Sequence, residues 1–181
     1  MSGKLILVTG GSGSGKSAWA EKTLLAQAKG RAVYLAAMEN DGGPEAAARV
    51  ERHRAMRAQH GKEAGLEFLT VERPVDIGGA AVEPGDSVLL EDLGNLLANE
   101  IWSPSGVGAE RAEEWIFSGL RALLERAELL VTVSCDVFAD GTEYAPGTMA
   151  YIRGLANLHR RLAPLACRTV EVVCGIPIIL S

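Results

Sequence analysis

An eight-residue stretch, Gly10-Gly11-Ser12-Gly13-Ser14-Gly15-Lys16-Ser17, follows directly on the apolar run Leu5-Ile6-Leu7-Val8 and leads into Ala18-Trp19-Ala20-Glu21. An apolar strand, a glycine-rich turn ending in Gly-Lys-Ser and a helix form the G-x-x-x-x-G-K-[ST] pattern in its expected context. The glycines let the backbone wrap with its N–H groups turned inward onto phosphate oxygens. The helix expected from about Lys16 aims its positive dipole end at the same point. Lys16 has the reach for β- and γ-phosphates, and the Ser17 hydroxyl is suited to ligate Mg²⁺. Gly10, Gly11, Ser12, Gly13, Ser14, Gly15, Lys16 and Ser17 are therefore the first candidate nucleotide-binding residues. The plain alternative, a Gly/Ser turn, leaves the lysine and the flanking pattern without a reason.

Apolar runs recur along the chain at Ala32–Ala36, Glu67–Glu72, Ser87–Leu90, Leu129–Ser134 and Thr169–Cys174. Segments of helical pattern separate them, at about Lys16–Lys29, Pro44–Gln59, Leu93–Ile101, Ala109–Ala127 and Met149–Leu165. Such alternation specifies a doubly wound, mainly parallel α/β sheet covered on both faces, with the phosphate loop at its carboxyl edge. With 181 residues, one domain spanning 1–181 is expected. The net charge of −5 argues against a nucleic-acid partner or an anionic membrane surface. No apolar stretch approaches a membrane span. Cys135, Cys167 and Cys174 form no CxxC pair, and without a signal peptide they suggest reduced thiols in the cytoplasm. Cys174, in an apolar run, reads as buried filler.

Two further constellations stand out. Arg49, His53 and Arg57 are spaced four apart, which puts them along one face of the second helix. Guanidiniums beside an imidazole make an anion site, and nearby cations keep the ring neutral and nucleophilic. On spacing alone a solvated charged face remains open. Glu91 and Asp92 end the strand at Ser87–Leu90, where an acid in phosphate-loop proteins holds Mg²⁺ or its water shell. An ordinary acidic turn is the alternative there. His60, seven after His53, could face the same side but reads as a loop-proximal surface residue, His159 as a helix-surface residue, and Trp19, Trp102 and Trp115 as packing or subunit-contact residues.

Taken together these residues resemble one family, the bifunctional adenosylcobinamide kinase and adenosylcobinamide-phosphate guanylyltransferase of cobalamin biosynthesis. Leu7–Ser17 with Ala20-Glu21 is similar to its opening. Glu45-Ala46-Ala47-Ala48-Arg49-Val50-Glu51-Arg52-His53-Arg54 is similar to its E-M-x-x-R-I-x-x-H-R signature. Thr70-Val71-Glu72-Arg73-Pro74 resembles its T-x-E-x-P stretch, and Leu89-Leu90-Glu91 with Asn99 its L-[VL]-[DE]-C-L…N segment. The resemblance implies a covalent GMP on His53 and assigns Lys16 to phosphoryl transfer. Arg49, Arg54, Arg57, Glu72 and Glu91 join the implied nucleotide-binding set, and Ser17, Glu91 and Asp92 the Mg²⁺ set. It implies ATP or GTP as phosphoryl donor, adenosylcobinamide as corrinoid acceptor and a homotrimer. The chain departs from the pattern at Phe68, where the family has Trp. It departs again at Cys135-Asp136-Val137-Phe138, in place of N-E-V-G, and in the helix carrying Tyr151, Arg153 and His159. A plain small-molecule kinase with an inert His53, or a non-catalytic nucleotide-binding relative, would share the loop and lack the histidine chemistry.

Overall fold

The computed structural model describes residues 3–38, 44–138 and 141–181. The side chains of residues 44–50 and 53 lie outside the described set. The strands are β1 (Lys4–Thr9), β2 (Ala32–Ala36), β3 (Phe68–Glu72), β4 (Ser87–Glu91), β5 (Leu129–Val133), β6 (Arg168–Val173) and β7 (Ile176–Ile179). They form one sheet in the order β3-β2-β4-β5-β1-β6-β7. All pairings are parallel except β6 with β7. Five helices belong to the described residues: α1 (Lys16–Gln27), α2 (Pro44–Ala64), α3 (Leu93–Trp102), α4 (Ala109–Arg126) and α5 (Pro146–Leu162). This is the doubly wound, mainly parallel α/β architecture that the alternating pattern specifies.

The residues of β1, β2, β4 and β5 are apolar on both sides because both faces of the sheet are covered there. Leu5, Leu7, Val33, Leu35, Val88, Leu90 and Leu130 point to one face and meet α3, α4 and α5 through Leu96, Ile116, Leu120 and Leu158. Ile6, Val8, Tyr34, Leu89, Val131 and Val172 point to the other and meet α1 through Ala20, Leu24 and Leu25. β5 lies between β1 and β4, so the loop after β1 and the acids after β4 open onto one carboxyl edge, separated by one strand.

Several boundaries differ from the sequence expectation. α2 continues past Gln59 to Ala64. Gly61 is held inside it because a Cβ there would sit 2.8 Å from the Leu66 carbonyl, and Gln59 donates to Glu63 across one turn at 3.1 Å. α5 starts at Pro146, not Met149, with proline in the first turn, where its missing N–H costs nothing. β7 follows from the Cys174-Gly175 turn. Both residues have positive φ, 49° and 80°, the signature of a tight hairpin turn whose twist matches its strands. Cys174 is therefore exposed at that turn and is not the buried filler its apolar run suggested. β7 carries Pro177 and lies at the sheet's edge, where a missing N–H is tolerated.

Leu130 is fully buried in the central strand β5. Leu130→Ala is expected to lower stability by about 3 kcal/mol through lost burial and residual cavity, read as a shifted urea midpoint with unchanged slope.

Candidate functional site

The loop after β1 adopts the conformation its glycines permit. Gly13 and Gly15 have φ of 70° and 89°, in the left-handed region open to glycine, and Gly15 stands directly before α1. Gly10 is required by crowding, since a Cβ there would lie 2.6 Å from the Val172 carbonyl. The turn between β6 and β7 braces the loop from outside through Gly175 N–H, which donates to the Ser14 carbonyl at 2.8 Å. Inside, Lys16 Nζ donates to the Gly11 carbonyl at 3.1 Å.

A cavity of about 480 Å³ opens above the loop. Ser12–Ser17 form its floor, with Glu91 and Asp92 from the end of β4 and Cys135 from the end of β5. Tyr34 of β2 and Met56 and Arg57 of α2 add a wall. The Ser17 hydroxyl donates to Glu91 Oε1 at 2.6 Å. The second carboxylate oxygen, Oε2, is out of solvent contact and has no hydrogen-bond partner among the described residues, and neither has Ser14 Oγ. Burial pushes the Glu91 carboxyl up to about 7, with the Asp92 and Glu21 charges adding to the shift and Ser17 and Lys16 opposing it. Asp92 divides its attention. Its carboxylate caps α3, accepting from Asn95 N–H at 2.7 Å and from Asn95 Nδ2 at 3.3 Å.

The remaining sequence candidates distribute differently. Arg57 is buried, with its guanidinium 3.6 Å from the Tyr34 ring centroid, a cation–π contact. Arg54 and Glu72 meet each other at 3.4 Å on the surface, outside the residues that line the cavity. Arg54 and Arg57 also border a second hollow of about 310 Å³ beside Lys62 and Phe68. Arg49 and His53 belong to α2, and their side chains lie outside the described residues. Among the described residues, no group of three His, Cys, Asp or Glu side chains is placed to hold a metal by itself.

Two histidines are not the surface residues that spacing suggested. His60 Nδ1 lies 2.5 Å from Glu21 Oε2, with both side chains nearly out of solvent. His159 Nε2 lies 2.7 Å from Ser134 Oγ, edge-on to Phe138, and burial pushes its pKa down. The cavity residues Glu21, Tyr34, Met56 and Cys135 had no assigned role from sequence. Glu21 alone carried a signal, standing one turn beyond Ser17 and hence on the same side of α1. Trp19 packs on the core as expected; Trp102 and Trp115 are about half exposed, with Trp102 against the Tyr151 ring at 5.6 Å.

The sequence profile of the cobinamide kinase / cobinamide phosphate guanyltransferase family matches residues 6–180. The chain belongs to that family. It is accordingly a transferase of cobalamin biosynthesis that takes nucleotide substrates. No curated protein matches it in sequence. Among solved structures, the flagellar accessory protein FlaH from Methanocaldococcus jannaschii is similar with a TM-score of 0.45 and 13% identity, over 99% of this chain and 79% of that one. No helix among the described residues is long and apolar enough to cross a membrane.

Between an ordinary value of 4.5 and about 7 the folded chain holds the Glu91 proton, while the unfolded chain has released it. The nucleotide-free protein is thus expected to lose stability as pH rises through that window, on the order of 3 kcal/mol. The fall in urea midpoint between about pH 5 and about pH 8 should be larger for the wild type than for Glu91→Gln.

Proposed function

We propose that the protein phosphorylates the aminopropanol hydroxyl of adenosylcobinamide with ATP or GTP and then transfers GMP from GTP to the resulting phosphate. The observation that carries this reading is the cavity itself. A phosphate loop with its lysine, an uncapped carboxylate oxygen and one stripe of α2 converge on it. Residues 53, 56, 57 and 60 recur at helical spacing, which puts them on one stripe. The described members of that stripe turn toward the cavity or the helix that starts at its floor.

For phosphoryl transfer the backbone N–H groups of the loop and the Lys16 ammonium are assigned to cradle the triphosphate, and the acceptor hydroxyl attacks the γ-phosphorus in line. Little covalent chemistry is asked of the protein, so positioning and charge neutralisation supply the rate. Ser17 Oγ and the Glu91 carboxylate are hard oxygen donors of the kind Mg²⁺ prefers. They would hold it together with phosphate oxygens and water, with Asp92 beside them, and the ion would neutralise charge on the phosphates. The unpartnered Oε2 of Glu91 supports that assignment.

For nucleotidyl transfer, a ring nitrogen of neutral His53 attacks the α-phosphorus of GTP. An N–P bond forms, the P–O bond to the β-phosphate breaks, and pyrophosphate leaves. The phosphate oxygen of the cobinamide phosphate then displaces the histidine, giving adenosylcobinamide-GDP and free His53. Arg49 and Arg54 are assigned to the leaving pyrophosphate, and Glu72 to orienting Arg54. Arg57, held over Tyr34, is assigned to the cavity wall. We further propose a homotrimer in the cytoplasm. Exposed Ile176, Ile178, Ile179 and Leu180 on and beyond edge strand β7 support a subunit contact, and three free thiols support a reducing compartment.

Incubation with α-labelled GTP followed by denaturation tests the histidine step. Label is expected on the wild type and none on His53→Ala. A protein that phosphorylates cobinamide yet never takes label is a simple kinase, contrary to this reading. Lys16→Ala removes a charged donor from the phosphates and is expected to weaken GTP binding by roughly 10- to 100-fold, measured by calorimetry.

A further inference from the structure

α2 is an unusual helix to hang on a core. Among its described side chains only Arg57 and Gly61 are buried, His60 is partly so, and the rest from Glu51 onward are exposed. Over these described residues α2 takes its position from polar contacts. Arg54 meets Glu72 of β3 at the exposed surface, and the Arg57 guanidinium lies on the Tyr34 ring. The contact nearest the phosphate-loop helix is that of His60, whose Nδ1 lies 2.5 Å from Glu21 Oε2 with side chains 10% and 3% exposed.

Glu21 belongs to α1, the helix that springs from the phosphate loop, and it lines the nucleotide cavity. Burial pushes its carboxyl upward, and His60 and Arg57 act against that shift. The carboxylate therefore needs His60 as its partner, and α2 needs Glu21 as its anchor. Residue 53 stands seven positions before His60, two helical turns or about 10 Å along the same stripe. A rotation or slide of α2 at His60 is carried rigidly to that position.

We propose that Glu21 and His60 are positioning residues: their contact sets α2 relative to the phosphate loop, and so governs the rate of nucleotidyl transfer to His53 without contributing to the loop's grip on the triphosphate. This rests on the reading that His53 accepts GMP. The Arg57–Tyr34 contact keeps α2 on the protein when the joint is cut, so the loss is one of alignment. Misplacing a reacting atom by about 1 Å can cost on the order of a hundredfold in rate.

The test compares wild type, His60→Ala and His60→Asn, each full length. The readouts are the rate of GMP labelling at saturating α-labelled GTP, the dissociation constant for GTP, and turnover of cobinamide phosphorylation. His60→Ala is expected to slow labelling by about tenfold or more, with GTP affinity and phosphorylation within about twofold of wild type. His60→Asn puts an amide nitrogen near the place of Nδ1 and is expected to recover most of the labelling rate. Labelling by His60→Ala at the wild-type rate overturns the proposal, as does a parallel fall in all three readouts. If His60→Ala does not fold, His60→Leu, which fills the space without a polar atom, is judged by the same criteria. A wild type that takes no label refutes the His53 reading itself, before any variant is compared.

Discussion

The hydrogen bond from Ser17 to Glu91 ties together the two ends of the chemistry. Ser17 opens α1 and Glu91 closes β4, 74 positions apart in the chain and 2.6 Å apart in space. That approach depends on the sheet order, in which β5 alone separates β1 from β4. It depends equally on strands apolar on both faces, which fix the register of their carboxyl ends. The cost is a carboxylate taken out of water with one oxygen unpartnered. Burial raises its pKa to about 7 because a charge there lacks solvation. A site that tolerates such a group when empty is prepared for positive charge when filled, a common property of functional clefts.

The second dependence runs through α2. Its described side chains reach α1, β2 and β3 through polar contacts, where α3, α4 and α5 use broad apolar faces. Cation–π and buried carboxylate–imidazole contacts are directional, so they fix orientation where apolar packing would allow sliding. Arg57, which the sequence offered as a phosphate-binding cation, lines the cavity with its guanidinium held against Tyr34. Arg54 pairs with Glu72 of β3 at the exposed surface.

Much of this was legible in the residues. Continuous apolar runs located the inner parallel strands because both sides of β1, β2, β4 and β5 are covered. The loop's glycines marked a tightly wrapped backbone, and the Gly-Lys-Ser ending named its ligand class. What stayed hidden depended on contacts between elements. His60 looked like a surface residue because nothing near it in sequence says that Glu21 waits on α1, and His159 for the same reason with Ser134. Cys174 looked buried because an apolar run carries no mark of the turn that ends it. Only the following Gly175 hinted at that turn, and β7 went unread with it. The end of α2 was missed because Gly61 reads as a breaker, while in the fold its missing Cβ is what lets the Leu66 carbonyl approach.

A crystal structure with Mg²⁺ and a non-hydrolysable GTP analogue tests the central claim most directly. The account predicts the triphosphate against the backbone amides of Ser12–Ser17 and Lys16 Nζ, with the cation between Ser17 and Glu91. A nucleotide seated elsewhere, with Ser17 still donating to Glu91 above an empty loop, would contradict it.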